Sequence, residues 1–291
     1  MIASYKKLIE QKYPELAIEH IEPNTIGQNN DVVIINNSLV FRFPKYVEGI
    51  RQLKRETELL EAIQHQTTLP IPVPKYVSFE AMVPGQVFTG YKLIAGAPFW
   101  KEELDRVKDK EARHRLASQL VTFLTELHGT KGELLEPIFK QERKSILEMT
   151  KLLYANMEEK LFSYMRSDAR ECVIHNFQTF LENEKNHNVQ QTLIHGDFGT
   201  GNILWDAQAC AISGVIDFGG SGLGDPAYDL AGILAGYGED FYEECIRLYP
   251  GGEAISERVR FYRSTFALQE ALHGVVNNDP EAFECGMKDY R

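Results

Sequence analysis

The stretch LIHGDFGTGNILWD, residues 193–206, gathers a histidine, an aspartate and an asparagine (His195, Asp197 and Asn202) into one glycine-broken loop between two apolar runs. Ordinary turn chemistry would need only glycine there. An aspartate in such a loop can orient a substrate hydroxyl and receive its proton. The Asn202 side chain offers a carbonyl oxygen to a metal, and His195 can brace the loop through hydrogen bonds. Twenty residues after Asp197, the segment GVIDFGGSGLGDPAYDLA places Asp217 at the end of a buried-looking strand. A carboxylate at that point, with a nearby asparagine, suits a divalent metal bridging phosphates. The competing account is local, because Asx side chains often cap their own backbone. Asp225 and Asp229 read as the cap and first turn of the following helix, Asp229 supporting the loop.

The elements that must carry these residues change character along the chain. DVVIINNSLVFRFPK holds two β-rich runs, Val32–Ile35 and Leu39–Phe43, about a hairpin-like Asn36-Asn37-Ser38 turn. GIRQLKRETELLEAIQ repeats Ile50, Leu53, Leu59, Leu60 and Ile63 at roughly helical spacing. Pro70, Pro72 and Pro74 then hold the chain extended, and YVSFE and QVFTGYKLIAG read as a strand pair. From about residue 98 helices take over. EARHRLASQLVTFLTELHG is amphipathic and closed by Gly129, and long helices are expected around 141–160 and 167–185. Two short strands, NILW and ISGVIDF, follow the loop, and helices return from about residue 227. The outline is a small β-rich lobe, a connector near 91–97 and a larger helical lobe.

This constellation resembles the kinase-fold small-molecule phosphotransferases, above all the aminoglycoside phosphotransferases. The resemblance spans nearly the whole chain: a strand-rich front, a hinge, H-G-D-x-x-x-x-N, I-D-F-G and D-P-x-x-D-L-A. Gly196 stands where protein kinases carry arginine, which points to the small-molecule branch. The resemblance implies an α+β, protein-kinase-like two-lobed fold. Its nucleotide-binding lobe would be residues 1–92, its hinge 93–97, and its catalytic and acceptor-binding lobe 98–291. It further implies Asp197 as catalytic base, and Asn202 and Asp217 as ligands of Mg²⁺ carrying ATP or GTP.

Kinase-like folds place a cation over the phosphates and fix it with a helix glutamate. The family's third-strand lysine is absent; Arg42 occupies its position, with Glu56 as the expected partner. Lys45 is the rival, although it lies three residues on and so on the opposite face of an extended segment. The phosphate turn NTIGQNND has a single glycine, Gly27, and its reading as a cradle or as a plain hairpin turn stays open. In the hinge, the backbones of Lys92 and Ile94 would read the base. Tyr91 at the rear of the pocket would either favour guanine or merely fill core between the lobes.

Aminoglycosides are polycations, so the resemblance implies carboxylates at the acceptor side. Glu239, Asp240, Glu243 and Glu244 in GYGEDFYEEC, and Glu270 in ALQEALHG, are the candidates. An acidic helix face is also an ordinary solvated surface. Enzymes acting on the 2″-hydroxyl commonly carry aspartate where this chain has Gly220, and acidic residues near Ala235 and Gly236. Those departures count against a gentamicin-type substrate. The alternatives are a kinase for choline, homoserine, a sugar or a macrolide, and a catalytically inactive nucleotide-binding relative.

Composition bounds the rest. A length of 291 residues fits two lobes better than one core. A net charge of −11 disfavours a nucleic-acid partner and is compatible with a small cationic acceptor, though acidity alone also serves solubility. No apolar run is long enough to span a bilayer, and MIASYKKLIEQKYPEL reads as an amphipathic helix without an apolar secretory core. Cys172, Cys210, Cys245 and Cys285 form no C-x-x-C pair, so reduced cytosolic thiols are expected. The expectation is a cytoplasmic antibiotic-resistance kinase, monomer or weak dimer, without membrane or nucleic-acid partners.

Overall fold

Alternation along the third strand decides which way Arg42 faces. In the computed structural model, which describes residues 1–24, 30–140 and 144–291, the chain forms two compact units. The first is Met1–Ile138 with Thr200–Ser221, and the second is Phe139–Gly199 with Gly222–Arg291. The fold is α+β and kinase-like, with a small antiparallel sheet near the N-terminus and a larger helical C-terminal part.

The first unit begins with α1 (Ile2–Lys12), followed by β1 (Ile21–Asn24), β2 (Asn30–Ile35) and β3 (Leu39–Pro44). After α2 (Val47–Ile63) come β4 (Pro74–Ser78) and β5 (Phe88–Lys92), completing an antiparallel sheet of order β1-β2-β3-β5-β4. The β2–β3 turn is as the sequence suggests: Asn36 and Asn37 both take positive φ, 49° and 50°, matching the twist of the flanking strands. Phe41 and Phe43 of β3 point into a core with Tyr5, Ile9, Val33, Ile35 and Phe88, and Tyr5 stacks on Phe43 at 3.9 Å. Successive side chains alternate, so Val40 and Arg42 face the other way. On α2, Ile50, Leu53, Leu60 and Ile63 form the buried stripe, and Glu56 lies within it.

Residues beyond the sheet also belong to this unit. The chain continues through β6 (Ala97–Pro98), α3 (Lys101–Arg106), α4 (Lys110–His128) and α5 (Gly132–Phe139). Asp109 caps α4 by accepting from the Glu111 and Ala112 amides. The unit is completed by β8 (Ile203–Asp206) and β9 (Ala211–Val215), a hairpin that β6 extends to three strands. Gln119 of α4 accepts from the Ile212 amide at 3.0 Å, tying the hairpin to that helix.

In the second unit, α6 (Ile146–Lys160) starts at Ser145, whose capping box with Glu148 sets the helix start later than the periodicity suggests. Then come α7 (Ser167–Glu182) and β7 (Thr192–Ile194), which pairs antiparallel with β10 (Gly222–Gly224). Helices α8 (Ala227–Tyr237), α9 (Glu239–Leu248), α10 (Gly252–Asn277) and α11 (Pro280–Met287) finish the chain. Met157, Phe162, Val173, Phe177, Leu268 and Met287 build this unit's core. No helix among the described residues is long and apolar enough to cross a membrane.

Candidate active site

Glu56 is 4% exposed and Arg42 11%, so neither charge is tolerable alone. The structure pairs them: Arg42 Nη1 donates to Glu56 Oε1. The other arm, Nη2, donates to Asp217 Oδ1 at 3.2 Å. The planar guanidinium presents a separate nitrogen to each carboxylate, where a lysine would have to serve both from one. Lys45 instead lies 3.8 Å from Asp31. Burial works against the Arg42 charge, but Glu56, Tyr91 and Asp217 together more than offset it and hold the guanidinium above its ordinary value. Burial pushes the Glu56 carboxyl up, and Arg42 and the Phe218 amide pull it back only in part.

Tyr91 lies opposite Val40 in the β3–β5 ladder, on the face that Arg42 occupies. Burial drives its phenol up to about 12, and the nearby Arg42 guanidinium opposes the rise. Lys92 is exposed and Ile94 half-buried; between them the Leu93 amide donates to Ser38 O at 2.8 Å. Ile94 rests against Gly214 of β9, so the connector lies along the β8–β9 hairpin. Gly27, the proposed phosphate turn, lies outside the described residues.

Asp217 departs from expectation. The strand stops at Val215, and Asp217 adopts the left-handed region at φ 63°, ψ 72°. Aspartate tolerates that conformation better than most residues, yet at a cost of about 1–2 kcal/mol. Its side chain is 52% exposed. The Ile216 amide donates to Asn202 O at 2.9 Å, continuing the β8–β9 pairing by one step. Asn202 and Asp217 therefore stand at the same open end of one hairpin. One carboxylate and one amide carbonyl are hard oxygen donors, and they suit Mg²⁺, which takes few protein ligands and completes its shell with phosphate and water.

In the second unit, Asp229 is fully buried on α8 and holds the loop that carries Asp197. Its Oδ2 accepts from the His195 amide at 2.7 Å and its Oδ1 from the Gly196 amide at 2.9 Å. Gly196 has φ +78°, a conformation open to glycine, and this turns both amides onto the one carboxylate. The Asp197 amide donates to His195 Nδ1 at 3.3 Å, which puts the buried ring's proton on Nε2. Asp197 itself is exposed. Asp225 is held by Arg258 Nε at 2.7 Å and by the Tyr262 hydroxyl at 3.2 Å, and accepts from the Ala227 amide at the start of α8. It thus fastens α8 to α10.

The acidic candidates are not brought together. Glu239 and Glu243 on α9 share one counter-ion, Arg260 of α10, which makes a two-armed pair with Glu239 and reaches Glu243 at 3.4 Å. Asp240 is exposed beside them on α9, and Glu244 lies one turn further on. Glu270 lies ten residues past Arg260 on α10, roughly 15 Å along the axis. Sequence reasoning missed Arg260. It also missed Tyr228 of α8 and Gln269 of α10, whose side chains bond each other at 3.1 Å. Residue spacing offered no signal for either pairing.

Comparison with known proteins places the chain in a family. Residues 20–281 match the phosphotransferase enzyme family. Viomycin phosphotransferase from Streptomyces vinaceus is 30% identical over 203 residues, covering 68% of this chain and 67% of that protein. Among solved structures, the GDP and kanamycin complex of APH(2″)-IIIa superposes with a TM-score of 0.88 at 24% identity, covering 98% of this chain and 96% of the other. A type I macrolide 2′-phosphotransferase superposes with a TM-score of 0.74 at 16% identity, over 100% and 97% of the two chains. With the Arg42–Glu56–Asp217 link and the Asp229-held H-G-D loop both in place, the chain belongs to the phosphotransferase enzyme family.

Proposed function

We propose that this protein transfers the γ-phosphate of ATP or GTP to a hydroxyl of a small cationic antibiotic of the aminoglycoside type, inactivating it in the cytoplasm. The observation that carries the reading is the Arg42 guanidinium bonded at once to buried Glu56 and to Asp217. Glu56 fixes the guanidinium against rotation, so its charge is already aimed when the triphosphate arrives and needs little reorganisation. Asn202 and Asp217 are the residues that would hold Mg²⁺, which when bound neutralises charge on the β- and γ-phosphates. Asp197 orients the acceptor hydroxyl and takes its proton as the oxygen bonds to the γ-phosphorus. The bond from that phosphorus to the bridging oxygen breaks, and the nucleoside diphosphate leaves. Asp229 keeps the loop amides engaged and so holds Asp197 in register. The backbones of Lys92 and Ile94 read the purine, with Tyr91 at the rear of its pocket.

A second reading, a less highly charged antibiotic acceptor, draws support from Arg260. Glu239 and Glu243 already have a counter-ion, which reduces the carboxylate charge left for a polycation. The macrolide-acting relative fits the same alternative. The deciding experiment incubates purified protein with Mg-ATP or Mg-GTP and a panel of aminoglycosides, viomycin and macrolides, and detects the phosphorylated product by mass. Transfer to at least one antibiotic, abolished in Asp197→Ala with nucleotide binding retained, is expected. Transfer that survives in Asp197→Ala refutes the role of that residue, and transfer to none of the panel refutes the antibiotic reading.

A further inference from the structure

Helix α8 lies directly on the loop that carries Asp197. A Cβ at Gly232 would collide with the Phe198 carbonyl oxygen, so that face of the helix has no room for a side chain. Residue 228 lies four positions earlier and thus on the same face, one turn nearer the helix start. It is a half-buried tyrosine. Burial, and the negative charges of Asp229 and Asp197, push its phenol up to about 12 against the pull of Gln269, so it stays protonated. Its ring meets Tyr262 edge to face, at 5.4 Å and 68°, and lies tilted against Phe266 at 5.2 Å. A tyrosine so fixed stands on the helix face that packs against the loop carrying Asp197.

The direction of its hydrogen bond follows from its neighbours. Thr265 Oγ1 donates to Tyr262 O at 2.7 Å, because a backbone carbonyl can only accept. With its proton used, that hydroxyl accepts from Gln269 Nε2 at 2.9 Å. The amide is thereby oriented, and its carbonyl oxygen, Oε1, faces Tyr228, which must donate to it at 3.1 Å. The hydroxyl protons of Thr265 and Tyr228 are both committed. The phenol oxygen has only lone pairs left to offer.

We infer that Tyr228 recognises a hydrogen-bond donor on the phosphoryl acceptor, an ammonium or a non-reacting hydroxyl, and that Gln269 is the positioning residue that keeps it an acceptor. The inference rests on the phosphotransferase reading above and adds a specificity-determining residue on the acceptor side. It excludes carboxylate or phosphate groups of a ligand at that position, since both would meet lone pairs without a proton between them.

The test is steady-state kinetics with an acceptor that the wild-type protein phosphorylates. Tyr228→Phe removes one oxygen and keeps the ring, so its melting temperature should stay close to wild type. Its KM for the acceptor should rise about tenfold while kcat and the nucleotide KM stay within about twofold. Gln269→Met frees the phenol to rotate its proton outward and should raise the same KM by roughly threefold. Among acceptor analogues each lacking one amine or hydroxyl, one should bind Tyr228→Phe and wild type alike, a non-additivity that a purely structural tyrosine would not produce. An unchanged acceptor KM in Tyr228→Phe, or a loss confined to kcat or to nucleotide binding, overturns the inference and leaves the phosphotransferase reading standing. A wild-type protein that phosphorylates no acceptor overturns both.

Discussion

A double-mutant cycle on Arg42 and Glu56 reads the buried pair directly. With side-chain exposures of 11% and 4%, either group left alone is a charge in a poorly solvated site. Arg42→Met should cost about 3–5 kcal/mol, and Glu56→Leu should fall in or just below that range. The residual bond from Arg42 to exposed Asp217 gives the arginine some compensation in the second variant. At roughly 2 °C per kcal/mol for a chain of this size, each single change lowers the melting temperature by about 6–10 °C. The double variant presents two apolar side chains to one another and should recover much of the loss, because removing both ions removes both desolvation costs. Arg42→Met should also depend on pH. Burial already raises the Glu56 carboxyl, and losing Arg42 removes the strongest pull downward. An acid whose folded value lies above its unfolded value of about 4.3 stabilises the fold below that pH and loses the contribution as pH rises through the folded value. The deficit of Arg42→Met should therefore be larger at pH 8 than at pH 5. Thermal unfolding of the four proteins at both pH values measures all of this. If the single losses add to within about 0.5 kcal/mol in the double variant, the two groups are not coupled and the reasoning fails.

Asp217→Ala should weaken nucleotide binding in the presence of Mg²⁺ and leave metal-free binding little changed; calorimetry with and without the metal checks this, and equal losses would remove Asp217 from the metal site. Asp229→Ala strips the acceptor from two amides, bonded at 2.7 and 2.9 Å, and should cost about 2–4 kcal/mol of stability, seen in denaturant unfolding, together with a fall in kcat. Arg260→Gln should change stability by less than about 1 kcal/mol, since its pairs are half exposed. By unmasking Glu239 and Glu243 it should lower the KM for a polycationic acceptor at low salt, and a KM that does not respond would place those carboxylates outside the acceptor site.

What the sequence by itself determined was local. The Asn36-Asn37 turn, the stripe of α2 and the strand-loop-strand frame around His195, Asp197 and Asn202 were legible because each depends on neighbours within a few residues. The H-G-D loop and I-D-F-G were legible as a family resemblance because their side-chain types stand at short, fixed spacings. The resemblance put Arg42 in the place of the family's lysine with Glu56 as its partner, and strand alternation set Lys45 on the other face. Tertiary structure alone decided what those groups touch. Arg42 reaches Asp217 across 175 positions, and Arg260 neutralises Glu239 across 21. Tyr228 meets Gln269 across 41. Such pairings depend on which helix faces pack together, a property of the whole set of burial choices that local periodicity does not contain. The left-handed turn at Asp217 belongs with them. Its backbone cost is met only when the β8–β9 pairing, Phe218 and Arg42 are in place together, and nothing in the local sequence forces it.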